Sequence, residues 1–454
     1  MSPEHEIQRP WSRSERRLPR AVVRPLREFL RYEASGGLVL LAAALAALIW
    51  ANTDVASYED LFGTEIDLRL GGLSYGVDLR FLINDGLMTF FFLLIGLEVK
   101  RELTVGELAS RRAASLPLFA AIGGLAVPAL IYAAVTAGGE GAGGWGIPIA
   151  TDTAFALGVL ALLSRRAPPA LTALLLGVAV IDDVGAMAVM SIFYSHGGER
   201  VYLLAALACA VAAAAMNRLH VRHLLPYIAA GSACWCFTLA AGVHPTVVGV
   251  LFGLLTPSRP FQPRMGVARE AALVADEILE GRDTREADAK PWRRLVYLTR
   301  EAISPLNRIE HALHPWTAMA VVPVFALANA GIVLDGASVE AAAGSAVTLG
   351  VILGLVVGKP LGLLLGAWVA VSLGLSRRPV GVSWPHIAGL GGLAGIGFTI
   401  SLFVTQLAFE GGELLEAAKV GILAGSLLAA LVGAVLLLIA HRRAHPRGVR
   451  PGPA

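Results

Sequence analysis

Charge is scarce in this chain. Only 16% of its 454 residues are Asp, Glu, Lys or Arg, where ordinary soluble domains carry about 25%. Mean hydropathy is +0.66. That balance excludes an ordinary soluble globular domain. Lysine is scarcer still, occurring at Lys100, Lys290, Lys359 and Lys419, so wherever the chain needs a plain positive charge it uses arginine. Cysteine is nearly absent: Cys209, Cys234 and Cys236 make neither a disulfide framework nor a zinc site. The Cys234-Trp235-Cys236 segment lies in an apolar run, where cysteine behaves as a small hydrophobe. Nor does one sign of charge dominate, with 37 Lys+Arg against 34 Asp+Glu. Arginines flanking a membrane account for that mild excess as well as a nucleic-acid footprint would, so position along the chain must decide.

What fills the chain is apolar. Hydrophobic residues make up 56% of it, and a membrane-spanning helix needs about 20 of them in succession. Apolar runs recur near 36–52, 82–99, 113–136, 146–163, 170–194, 201–217, 224–241, 243–256, 315–334, 345–375, 386–409 and 416–440, twelve candidates in all. The sequence therefore predicts an all-α polytopic membrane protein of about 12 transmembrane helices. Its membrane domain, 36–440, follows an Arg-rich segment, 1–35, and precedes a tail, 441–454. Within 1–35 the apolar residues of 21–33 lean to one side and predict an interfacial helix after a polar tail.

The loops test the count, because basic residues collect on the cytoplasmic side of a membrane. Segments 1–35, 100–112, 165–166, 218–222, 257–313, 377–378 and 442–450 are basic. They alternate with connections near 137–145, 242, 335–344 and 410–415 that contain no Lys or Arg. The exceptions are Arg200 and, in loop 53–81, Arg69 and Arg80 among a larger number of acids. Both termini are expected to be cytoplasmic. Loop 53–81 places Ile66, Leu68 and Leu70, then Val77, Leu79 and Phe81, at period two around Gly71-Gly72. That is a β-hairpin signal on the outer side, suited to pairing with a second subunit. Segment 257–313 reads as a solvated helical linker.

Ionisable residues inside spans cost about 2.5–3.5 kcal/mol each and mark function. Asp85 and Glu98 fall in the second run, Asp152 in the fourth, Asp182-Asp183 in the fifth, His244 at the eighth and Lys359 in the tenth. Adjacent helical residues project about 100° apart, so Asp182 and Asp183 cannot point the same way. One can face a partner charge while the other faces a cavity. Crowding two carboxylates disfavours ionising both, so such a site can hold a proton or a small hard cation in turn. Lys359 is informative because a buried lysine can shed its proton and arginine cannot. A fixed ion pair between Lys359 and Asp182 is the plainer alternative. Two runs are interrupted, at Gly146-Ile147-Pro148 through Thr151-Asp152-Thr153 and at Gly391-Gly392 through Gly395-Ile396-Gly397. Broken helices in corresponding halves point to a transport site near the midplane, with runs 3–5 and 10–12 as inverted-topology repeats.

These residues resemble the NhaA-type bacterial sodium/proton antiporter family. The resemblance rests on Ala34-Ser35-Gly36-Gly37, Ile83-Asn84-Asp85-Gly86-Leu87-Met88, Gly96-Leu97-Glu98-Val99-Lys100-Arg101-Glu102-Leu103, Ala150-Thr151-Asp152, Ile181-Asp182-Asp183-Val184-Gly185-Ala186, Gly242-Val243-His244, Arg308-Ile309-Glu310-His311, His314-Pro315-Trp316, Gly358-Lys359-Pro360-Leu361-Gly362 and Gly395-Ile396-Gly397-Phe398-Thr399, in order along nearly the whole chain. It implies two broken helices that cross, and exchange of cytoplasmic Na+ or Li+ for external H+. It further implies two protons moved per sodium, pH activation, no cofactor, a homodimer joined through the outer hairpin and a place in the bacterial inner membrane among its lipids. By the same resemblance Asp183 is the ion- and proton-binding carboxylate, Asp182 the partner of Lys359, and Thr151 with Asp152 part of the crossing. Glu98, Arg101, Glu102, His244, Glu310, His311 and His314 match positions in or near a pH-sensing cytoplasmic funnel. The arginine-rich extension and the longer loop near 258–305 depart from the family.

Rival readings fit less well. A sodium/solute symporter of the bile-acid type needs a roomier cavity and less of the Asp182-Asp183 and Lys359 set. An intramembrane aspartyl protease wants an aspartate after Gly395-Ile396-Gly397, where Phe398 stands, and a magnesium prenyl-transfer site wants a further aspartate where Val184-Gly185-Ala186 follows. A passive cation channel would leave the titratable lysine without a purpose.

Overall fold

The computed structural model describes residues 34–70, 73–163, 168–195, 197–280, 289–409 and 411–444. The expected interfacial helix at 21–33, the basic pair Arg165-Arg166 and the end of the C-terminal tail lie outside them. The chain enters with α1 (Ala34–Thr53) and a short α2 (Val55–Phe62), then the strands β1 (Glu65–Leu70) and β2 (Leu73–Asp78). Next come α3 (Leu79–Thr104) and α4 (Arg111–Val135), followed by a 3-10 segment, Glu140–Ile149, that meets α5 (Thr153–Leu162) at a 48° bend. α6 (Pro169–Phe193), α7 (Arg200–Arg218), α8 (Leu224–Ala240) and α9 (Val247–Leu255) continue the bundle. After α10 (Arg264–Glu280) and α11 (Ala289–Glu301) come α12 (Pro305–Asn329), α13 (Gly336–Gly344) and α14 (Ala346–Ser372). The pair α15 (Trp384–Ala394) and α16 (Phe398–Ala408) is bent by 50°, and α17 (Glu413–Ala444) ends the described chain.

Among the described residues eight helices are long and apolar enough to cross a membrane, or ten if each bent pair is one span. Ten of the twelve expected runs coincide with one helix each and the fourth and eleventh with the two bent pairs, but α8 has 17 residues and α9 only 9, short of a span by themselves. The ninth run begins earlier than expected. The Ser304 side chain accepts from the Asn307 N–H and Pro305 occupies the first turn, so α12 starts at 305 and takes in Glu310, His311 and His314. The hairpin is antiparallel, with Glu65 opposite Asp78 and Leu70 opposite Leu73. Its second strand is 73–78 rather than the stretch through Phe81. The Asp78 carboxylate accepts from the Phe81 N–H at 2.6 Å and starts a helical turn there, which removes Leu79 and Phe81 from the strand.

Glycine sets how closely the spans approach. In α14, Gly354, Gly358, Gly362 and Gly366 recur every fourth residue, on one face of the helix, against α4. A Cβ on Gly362 would lie 2.2 Å from the Gly123 carbonyl oxygen, and one on Gly366 would lie 1.9 Å from that of Phe119. Small residues at this spacing let helix backbones touch within a membrane. The same device joins α3 to α9 through Gly96, Gly249 and Gly253, and α15 to α17 through Gly392 and Gly433. Near the hairpin, the Tyr58 hydroxyl donates to the Leu327 carbonyl at 2.8 Å and accepts from the Gly331 N–H at 3.2 Å. Burial pushes that hydroxyl up to about 12, so it stays protonated and keeps α2 tied to the end of α12.

Candidate functional site

The two helix breaks meet. The Asp152 N–H donates to the Ile396 carbonyl at 2.5 Å and the Ser401 hydroxyl donates to the Ile147 carbonyl at 2.7 Å. Backbone groups freed by one break are thus satisfied by the other, as they must be where no water reaches. Asp152 serves both half-helices that start here. One oxygen accepts from the Phe155 N–H of α5 at 3.2 Å. The other accepts from the Thr399 N–H at 3.2 Å and the Thr399 hydroxyl at 2.6 Å, in α16. A single carboxylate therefore caps two N-termini, whose partial positive charge it offsets. At the opposite polarity, the Thr151 hydroxyl lies 2.8 Å from the Ala394 carbonyl, the last of α15.

Asp182 and Asp183 stand in α6 beside this crossing, and their partners differ. Asp182 is wholly buried with Lys359, each 0% exposed. The Lys359 ammonium donates to Asp182 Oδ2 at 2.7 Å, and the Thr151 hydroxyl approaches the same oxygen at 2.9 Å. One hydroxyl carries one proton, so Thr151 can serve Asp182 or Ala394 at a given moment. Asp182 Oδ1 accepts nothing and faces Gly124, where a Cβ would come within 3.8 Å of it. Asp183 retains slight exposure, 7%, and its Oδ1 is buried with no hydrogen-bond partner. It lies within electrostatic range of Asp182, Glu98, Asp152 and Lys359. Lys359 follows a π-helical turn, Gly354–Gly358, and another π turn, Leu82–Leu87, contains Asp85. Such turns concentrate at functional positions because they re-aim the next side chains.

Glu98 links this cluster to a second one. It interacts with Arg101, Glu102 and Glu310. Arg101 bridges to Glu310 at 2.5 Å and to Glu102 at 3.5 Å. The end of α3 is thereby joined to the start of α12. His311 and His314 share α12 with Glu310 but are exposed, outside this ion-pair group. His244 belongs at the other end of the bundle, contrary to its expected place with the funnel residues. It follows α8, and its Nε2 lies 3.0 Å from the carbonyl of Tyr194, just past α6. The reason is connectivity: α8 and α6 both finish at the end of the bundle where the hairpin lies.

Two parts of the site stand outside what the sequence motifs point to: the contact of Thr399 with Asp152 and the glycine stripe of α14. The stripe's fourfold spacing was visible in the sequence, whereas the Thr399 contact spans 247 residues and has no local signal.

The fold and site define a class: a multi-pass membrane protein whose helix breaks surround buried carboxylates and one lysine, as in secondary transporters. The family model described as Na+/H+ antiporter 1 matches residues 27–437, and the chain belongs to that family, whose members are transporters and not enzymes. Among curated relatives, it is 46% identical to Na(+)/H(+) antiporter NhaA 2 of Sorangium cellulosum over 423 residues, covering 92% of this chain and 90% of that protein. It is 44% identical to Na(+)/H(+) antiporter NhaA of Anaeromyxobacter sp., covering 93% of each. With the NhaA of Janthinobacterium sp. it shares 42% identity, over 94% of this chain and 97% of the relative.

Proposed function

We propose that this chain exchanges Na+ or Li+ for H+ across a bacterial plasma membrane, with both termini cytoplasmic, and that Asp183 is where ion and proton compete. The observation that carries this reading is the contrast between neighbours. Asp182 is already answered by Lys359 and Thr151, while Asp183 keeps an unpartnered buried oxygen within electrostatic range of three other carboxylates. A carboxylate so placed gains from a proton or from a small oxygen-seeking cation, and taking one excludes the other. Asp182 contributes to the cation site. Thr151 and Asp152 hold the crossing beside it, and the inverted repeats, runs 3–5 and 10–12, rock about it to open one face at a time. Glu98, Arg101, Glu102 and Glu310 form the pH-responsive entry on the cytoplasmic side, with His311 and His314 at its rim. His244 acts from the hairpin end. Exchange is electrogenic, two protons per sodium, with the second carried by Lys359.

The test is exchange itself. In liposomes holding a trapped pH dye, added Na+ should make the interior alkaline as protons leave. Asp183→Asn keeps the shape and removes the titratable anion, so it should abolish both this signal and calorimetric Na+ binding. Wild-type-level Na+ binding in Asp183→Asn would place the ion elsewhere.

A further inference from the structure

The segment between α9 and α12 holds an amphipathic helix that the transport chemistry does not use. α11 packs on α10, where Val267 and Val274 are buried. Its own half-buried residues, Leu295 and Leu298, recur at helical spacing on one side. Flanking that stripe, Trp292 is 57% exposed and Val296 66%, one turn apart, and Arg293 and Arg300 stand exposed beyond them.

The position of α11 is fixed by Arg222, in the turn between α7 and α8. Its guanidinium lies 3.0 Å from Glu301, donates to the Tyr297 hydroxyl and sits over the Phe261 ring at 5.4 Å. The span α7 ends at this turn and the apolar α8 begins there, and α12 starts at Pro305, only a few residues after Glu301. The C-terminal half of α11 is therefore held at the level where spans leave the membrane. Trp292, about 14 Å along the helix from Glu301, is within reach of the same level.

Charge decides what covers the exposed face. Lys290, Arg293, Arg294 and Arg300 stand against Glu301 as the one acid of α11. Arg294 is paired with Glu270 of α10, and Glu301 with Arg222. A second copy meeting this face about a twofold axis would set Arg293 and Arg300 against the same arginines. An anionic leaflet suits both features, because tryptophan prefers the headgroup level and arginine the lipid phosphates. We propose that α11 is an interfacial helix, with Trp292 and Val296 inserted into the leaflet at its own end of the bundle and Arg293 and Arg300 bound to anionic headgroups.

The test uses the full chain with its three cysteines replaced by serine, a nitroxide on Val296→Cys and a control nitroxide on Asp276→Cys of α10. In vesicles rich in phosphatidylglycerol, the label at 296 should collide severalfold more with dissolved oxygen than with a water-soluble nickel chelate, and the label at 276 should show the reverse. Pure phosphatidylcholine, or Arg293→Gln with Arg300→Gln, should shift the label at 296 toward the chelate. Unchanged thermal melting in each variant confirms that it folds. Dominance of the chelate at 296 in both lipids would show a solvated linker, and shielding from both reagents would show a protein contact. Immersion insensitive to lipid charge and to both arginine changes would remove the headgroup role. Any of these three results overturns the proposal.

Discussion

At the scale of single residues the site separates holding from exchanging. Asp152 accepts from two helix N-termini, and losing a cap typically costs about 1 kcal/mol. Asp152→Ala should therefore lower the melting temperature more than Thr399→Val, which leaves the Thr399 N–H in place. Equal losses would mean that the double cap adds nothing. Asp183, in contrast, has no structural duty visible in its contacts, so proton competition there should appear in kinetics. If a proton must leave before Na+ enters, lowering pH raises the apparent KM for Na+, by about tenfold per unit once protons occupy the site, with little change in maximal rate. A maximal rate that collapses at constant KM would instead locate the pH response in the Glu98, Arg101 and Glu310 group. The chemical identity of these residues was legible in the sequence, because charge inside apolar runs is costly wherever it appears. Their partners were not. Nothing local distinguishes a lysine that faces Asp182 from one that faces the carbonyls at a helix end, so the sequence offers the Lys359–Asp182 pair as one alternative and the resemblance implies it.

At the scale of elements, close packing of α4 on α14 carries the site, because Lys359 rides one helical turn from Gly362 on the same helix. A methyl on Gly362 would press on the Gly123 carbonyl at 2.2 Å. Backbone cannot yield as a flexible side chain can, and overpacking of this kind costs about 1–3 kcal/mol. Gly362→Ala should lower the melting temperature by several degrees and reduce exchange by shifting Lys359 from Asp182. Gly158→Ala in α5, where nothing lies within 4 Å, should leave melting unchanged or raise it. If both changes behaved alike, glycine would be acting through helix propensity alone. The apolar runs located every helix long enough to span among the described residues, since hydrophobic length is a strong signal. Boundaries went wrong where polar capping overrode it. Ser304 and Pro305 started α12 inside what reads as a charged linker, and Asp78 ended a strand whose alternation continued to Phe81.

At the scale of the whole molecule, the alternation of basic and non-basic loops is an expectation about the sides of the membrane, and the hairpin was legible from its glycine pair. Assembly was not, because a single chain holds no record of its partner. If the hairpin joins two subunits, deleting 66–77 should convert dimers to monomers by native mass spectrometry, with exchange retained by each. The larger consequence is electrical. Swapping one sodium for one proton moves no net charge, whereas swapping it for two couples exchange to the membrane potential, at about 2.3 kcal/mol per charge per 100 mV. The second proton needs a second titrating group, and the Lys359–Asp182 pair, 2.7 Å apart and wholly buried, is the one beside the site. Sodium arriving at Asp183 would disturb that pair, and Lys359 could then release a proton, a step closed to arginine. On a solid-supported membrane without imposed potential, the wild-type chain should give a sodium-triggered current that scales with turnover. Lys359→Arg should keep the ion pair but exchange more slowly or without current. An undiminished current in Lys359→Arg, or exchange without current in the wild type, would make Lys359 a fixed ion pair and leave the protein neutral in its transport or dependent on another carboxylate for its second proton.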